Sequence, residues 1–126
     1  MNIQIDGAAV EVVRSYLLAA AQEMKATLVR TAFNPVIYEV LDFGISMYDR
    51  NLDLTAEAPG LTMFLGANDY SVRKVVEYLG IDTFEDGDIV ISNYPYWNAA
   101  HTYDASLIAP VFVPGFDGPF GFLCVR

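Results

Sequence analysis

The 126 residues give room for one domain, 1–126, whose core must draw on most of its apolar side chains. Hydrophobic residues make up 54% of the chain and charged ones 18%, an apolar balance that predicts some surface covered by another chain. With 16 acidic against 7 basic residues the net charge is −9, which repels a phosphate backbone and argues against nucleic acid as a partner.

From Asp6 onward, Val10, Val13, Leu17, Ala21, Met24 and Leu28 recur at three-and-four spacing, predicting a long helix over 7–31 with Asp6 as its N-cap. Asn34-Pro35 stops it, because proline forces its predecessor out of the helical region. The most aliphatic stretch, 16–21, is bracketed by Arg14 and by Gln22 and Glu23, too short an apolar run to span a membrane. The opening Met-Asn-Ile-Gln-Ile-Asp has no basic segment before an apolar one, so a cytoplasmic location is expected.

Residues 36–48 are rich in Val, Ile, Phe and Tyr, and Asp49-Arg50-Asn51 supplies a turn before 52–56, a pattern that predicts a hairpin. A second, shorter helix is expected over 68–79, ended by Gly80. Strands are expected over 88–92, 105–113 and 120–125, the last two joined by a Pro-Gly-Phe-Asp-Gly-Pro turn. The class is α+β, with an antiparallel or mixed sheet. The run ending at Arg126 still reads as a strand, which predicts a truncated or split polypeptide.

Residues 93–104 crowd aromatic and amide groups around the chain's only histidine. His101 and Asp104 lie close enough for imidazole and carboxylate to share a cation, or for the carboxylate simply to satisfy the ring. Asp42, among Val40, Leu41, Phe43 and Ile45, needs a cation, a donor or solvent; strand alternation with Gly44 and Ser46 would supply the last. Asn93 and Asn98 are candidates to orient a substrate, and Tyr96 and Trp97 to wall its pocket or pack in the core. Cys124 reads as a small buried hydrophobe. Neither a phosphate-binding glycine loop nor a GxSxG elbow occurs, so the chain offers no nucleotide site of its own and no serine-hydrolase turn.

Several stretches together resemble the hydantoinase B/oxoprolinase family. They are Asp6 with Glu11-Val12-Val13, the run from Leu28 to Pro35, Glu39-Val40-Leu41-Asp42-Phe43, and Ala56-Glu57-Ala58-Pro59 with Leu65-Gly66. Asn93, Pro95-Tyr96, the run from His101 to Asp104, Pro110-Val111-Phe112 and Gly121-Phe122 continue the match in the same order. The resemblance implies the amino-terminal piece of a larger catalytic subunit of an ATP-dependent hydantoinase, lactamase, oxoprolinase or ketone carboxylase, inactive when isolated. It also implies a divalent metal (zinc, manganese or iron) held by Asp42, His101, Asp104 and a histidine just past Arg126, with ATP bound on a hydantoinase A-like partner subunit. Tyr94 where the family has an aspartate, Ala99-Ala100 where it has glycines, and a segment 59–65 without histidines leave the carboxylase branch open. A non-catalytic assembly subunit is the alternative.

Overall fold

The computed structural model describes residues 6–98 and 100–126, without the side chain of Leu65. The opening stretch read above for a leader, and Ala99 of the Ala99-Ala100 pair, lie outside the described residues.

Helix α1 (Gly7–Thr31) has the expected bounds: the Asp6 carboxylate accepts from the Ala8 N–H at its start. Of the expected inward face, Leu17, Ala21, Met24 and Leu28 reach the core, whereas Val10 and Val13 are exposed. The first turns of α1 therefore carry apolar side chains past the edge of what they pack against.

The expected strand over 36–48 is corrected in its first half. Asn34 caps a single-turn helix, α2 (Pro35–Tyr38), by accepting from the Val36 N–H, with proline at the first helical position where its missing N–H is harmless. Leu41 then takes φ 59° and Phe43 N–H donates to the Leu41 carbonyl, so the chain turns sharply before β1 (Gly44–Asp49) begins. Strand β2 (Leu54–Pro59) follows a turn in which one Asp49 carboxylate oxygen accepts from the Asn51 and Asp53 N–H groups.

Helix α3 (Phe64–Leu79) starts one turn earlier than its spacing predicts and stops at Gly80, whose φ of 88° suits glycine. Strand β3 (Val90–Ser92), the single-turn helix α4 (Pro95–Asn98), β4 (Ser106–Val111) and β5 (Gly121–Val125) complete the order. The sheet is antiparallel throughout and runs β2-β1-β5-β4-β3, so β5 inserts between the first hairpin and β4. Gly121 makes this insertion possible, because a Cβ there would stand 2.3 Å from the Tyr48 carbonyl oxygen.

Alternation along the strands gives the sheet two inner faces. Ile45, Ala56 and Ala58 pack under α1, and the Lys25 ammonium ties that helix to the Pro59 carbonyl at 2.7 Å. Tyr48, Ile108, Phe122 and Cys124 pack under Val72, Val75 and Val76 of α3, closed by Phe84. The architecture is thus α+β, a sheet with one long helix on each face.

Candidate metal centre

Residues 93–105 leave the edge strand β3 and return in β4, and Asn98 holds that excursion closed. Its buried amide donates to the Ser92 carbonyl at 2.9 Å and to the Asp104 carbonyl at 3.0 Å, while its oxygen accepts from the Ser71 hydroxyl of α3 at 2.8 Å. Every polar atom of this side chain is used inside the protein, so Asn98 positions the backbone of Asp104 instead of facing a ligand. Asn93 plays a smaller part on the outside, donating to the Thr102 carbonyl at 3.1 Å.

Within the loop, the Asp104 carboxylate accepts from the His101 backbone N–H at 2.8 Å, and the Asp104 N–H returns a bond to the His101 carbonyl. The same carboxylate oxygen lies 3.2 Å from His101 Nδ1. The ring is open to solvent, its side chain 83% exposed, whereas the carboxylate is 22% exposed. This pairing sets the ring's orientation and leaves Nε2 as its outward ligating atom, the arrangement in which a carboxylate orients a metal-binding histidine. It equally satisfies the histidine with no metal.

Tyr96 is exposed, while Trp97 is half-buried against the α3 core and packs on Tyr78 and Tyr94, with ring centroids 5.1 and 5.4 Å apart. Trp97 also lines, with Lys74, Glu77 and Tyr78, a shallow depression on the outer side of α3. Of the two aromatics expected either to wall a pocket or to pack in the core, Trp97 packs against the core and Tyr96 is at the surface.

Asp42 lies before β1, outside the strand that was to set its direction, with its N–H donating to the Val36 carbonyl at 2.9 Å. It is half-buried, whereas Gly44 and Ser46, its expected companions on an open face, are buried. Among the described residues no group of three or more His, Cys, Asp or Glu side chains could hold a metal ion, so the structure joins His101 to Asp104 but not Asp42 to both. Two donors fall short of the three or four protein ligands that a zinc site takes, so these residues do not complete a metal site by themselves.

The topology nevertheless brings Asp42 and Asp104 to the same end of the sheet. Val125 pairs with Ile45 on one side and Leu107 on the other, and each of those partners stands the same distance along the chain after Asp42 or Asp104. Arg126, not among the expected site residues, lies between them: it is 8% exposed, and its Nε donates to the Ser106 hydroxyl at 3.3 Å. The available signal was its parity with Phe122 and Cys124 in an alternating strand, which turns it inward under α3. None of the described helices is long and apolar enough to cross a membrane.

The family model for hydantoinase B/oxoprolinase matches residues 6–126. An uncharacterized protein of Methanocaldococcus jannaschii is 34% identical over 110 residues, covering 86% of this chain and 20% of its own length. The 5-oxoprolinase 1 of Arabidopsis thaliana is 33% identical over 98 residues, covering 78% of this chain and 8% of its own. The crystal structure of the ATP-dependent caprolactamase from Pseudomonas jessenii superposes with a TM-score of 0.82 at 25% identity, over 98% of this chain and 21% of that one. Acetone carboxylase shares the fold with a TM-score of 0.79 at 19% identity, over 92% of this chain and 15% of that one. The chain thus spans only a fifth or less of the length of these two curated relatives, the archaeal protein and the plant oxoprolinase. With the match running from the α1 N-cap to the end of the inserted strand, this chain belongs to the hydantoinase B/oxoprolinase family.

Proposed function

We propose that this chain supplies one corner of the reaction centre of an ATP-dependent amidohydrolase acting on hydantoin, lactam or oxoproline rings, or of a related ketone carboxylase. ATP would be consumed on a hydantoinase A-like partner subunit, whose phosphorylation of a carbonyl or amide oxygen prepares the substrate. The carrying observation is the His101–Asp104 pair, held on a loop that Asn98 clamps at both ends, beside the end of a strand whose other flank bears Asp42. Such rigid placement suits groups whose geometry matters to chemistry.

Asp42, His101 and Asp104 would each give a donor to a zinc, manganese or iron ion, with the remaining ligands from the longer subunit. A metal bound there would supply Lewis-acid polarisation of the reacting oxygen or a water of lowered pKa. This chain's own contribution is positional: Asp104 fixes the imidazole through Nδ1, and Asn98 fixes Asp104 through its carbonyl. Soluble, cytoplasmic operation in a hetero-oligomer goes with this reading.

The test is metal analysis and ATP consumption in the full-length subunit co-expressed with its partner, offered 5-oxoproline, caprolactam, hydantoin and acetone in turn. His101→Ala and Asp104→Ala are each expected to lower turnover at least about 100-fold and to release metal. Wild-type metal content and turnover in both variants would reject the assignment.

Exposed Val12, Val13 and Tyr16 on α1, with Ile91 and Leu107 on the sheet, favour a second reading, an assembly piece that docks other subunits. Asp42→Ala decides between them: intact assembly with lost turnover supports catalysis, and lost assembly alone supports docking.

A further inference from the structure

Helix α1 covers only part of its face of the sheet. It packs chiefly over β1 and β2, and the Lys25 ammonium holds one flank of the helix at the Pro59 carbonyl, on the β2 edge. On the other flank, helix and sheet leave a groove of about 560 Å³, walled by Met24, Thr27, Leu28 and Thr31 and floored by Ile45 and Val125. That volume falls in the range of small-molecule sites. The two floor residues are partners across the β1–β5 ladder, and Val125 pairs onward with Leu107 of β4. Asp42 stands three residues before Ile45 and Asp104 three residues before Leu107, and three residues of chain span at most about 11 Å. The groove therefore lies beside the proposed centre, at the end of the sheet where both acids stand.

The lining restricts what the groove can hold. Its walls are hydrocarbon apart from two threonine hydroxyls, and that of Thr31 is already engaged by the Thr27 carbonyl at 2.8 Å. The one charged residue among the lining is an acid, Glu23, exposed at the lip. Among the described residues no lysine, arginine or histidine lines it: Lys25 is held at Pro59, and Arg30 borders a separate depression on the outer side of α1. A carboxylate entering here would lose hydration against apolar walls and meet a like charge, with no cation to offset either. An uncharged, methylene-rich ring gains instead, by about fourfold in affinity for each methylene taken out of water.

We infer that this groove seats the hydrocarbon ring of an uncharged cyclic amide, with the amide group directed to the Asp42 and Asp104 end of the sheet. Its walls select against ring substrates that carry a carboxylate. This inference rests on the proposed reaction centre and adds to it the substrate class that the chain's own surface prefers.

The experiment uses the full-length subunit assembled with its partner. Caprolactam, a neutral ring, and 5-oxoproline, a ring bearing a carboxylate, are compared by equilibrium binding without ATP and by turnover with it. Wild type should bind caprolactam at least about tenfold more tightly than 5-oxoproline. Thr27→Trp, an exchange at an exposed helical position, narrows the groove and should weaken caprolactam binding at least about tenfold. Glu23→Lys replaces the like charge at the lip and should tighten 5-oxoproline about 3–10-fold, with caprolactam unchanged within about twofold. Failure of wild type to bind caprolactam, tighter binding of 5-oxoproline, or undiminished caprolactam binding in Thr27→Trp overturns the inference. Unchanged 5-oxoproline binding in Glu23→Lys overturns the selection against carboxylates. His101→Ala separates this inference from the reading it rests on. If that variant keeps turnover, the centre fails; if it loses turnover while Thr27→Trp binds caprolactam as wild type does, only the groove fails.

Discussion

Helix α3 meets one face of the sheet along its whole length, yet its two ends meet it with opposite chemistry. Toward its C-terminus, Val72, Val75 and Val76 close on Tyr48, Ile108, Phe122 and Cys124, with Phe84 edge-on to Phe122 at 5.2 Å. Toward its N-terminus, Asn68 donates to Ser46 at 3.1 Å, Ser71 donates to Asn98, and Arg126 and Ser106 lie beneath. The apolar end gains from burial directly. The polar end gives up hydration for bonds that are incomplete, since Asn68 Oδ1 and the Arg126 terminal nitrogens lack partners among the described residues. The costly end adjoins His101 and Asp104, so the helix stabilises the fold at one end and arranges polar groups at the other.

The largest expected effect belongs to the apolar end. Phe122 is fully buried at the centre of that cluster, and Phe122→Ala should cost about 3–5 kcal/mol, the transfer free energy of the ring plus the cavity it leaves. Urea unfolding of the purified protein reads this as a lowered midpoint at constant slope. A loss under about 1 kcal/mol would mean that the hydrocarbon end does not carry the stability assigned to it.

A smaller global loss but a sharper local one is expected at the other end. Asn98→Leu keeps the volume, takes the amide donor from the Ser92 and Asp104 carbonyls and leaves the Ser71 hydroxyl only its longer bond to Ser106, at about 2–3 kcal/mol. Hydrogen exchange should then quicken at the backbone of His101 and Asp104 beyond what the global loss explains, because the clamp on their loop is gone. Phe122→Ala should quicken exchange in step with global stability alone. Equal responses in the two variants would erase the distinction between the ends.

The sequence disclosed these two ends unequally. The apolar end was legible: the spacing from Val72 to Leu79 and the alternation of Phe122 and Cys124 are local patterns that burial imposes directly. So were the span of α1, written in Asp6 and in three-and-four periodicity, and the nearness of His101 to Asp104, a matter of short separation along the chain. Helix α2 escaped because Val36, Ile37 and Tyr38 have strand-like composition, while Asn34 and Pro35 supply a cap that outweighs propensity. The place of Asp42 escaped for another reason. Its relation to Asp104 exists only because β5 inserts between β1 and β4, a long-range pairing that no local pattern encodes. Arg126 was hidden by position, a charged residue closing an apolar run, where a solvent-facing end is the ordinary expectation.

Cys124 sits on the seam between the two ends, within the apolar cluster yet acted on by Arg126 and Ser106. Burial, its dominant influence, raises the thiol from 9.0 to about 12, with Arg126 and Ser106 pulling more weakly the other way. A folded pKa above the unfolded one means that the folded protein holds the proton more tightly. This contribution to stability is therefore complete below pH 9 and is lost as pH rises from there through about 12. By pH 10 the loss from this thiol amounts to about 1 kcal/mol. Tyr48, raised by burial in the same direction, adds to it at higher pH. Cys124→Ala, compared with wild type at pH 8 and pH 10, should show a smaller fall in unfolding free energy between the two, whatever its offset from the lost sulfur. An identical fall in both proteins would show that the thiol is already ionisable within the fold, and that the polar end reaches further into the core than the packing under α3 implies.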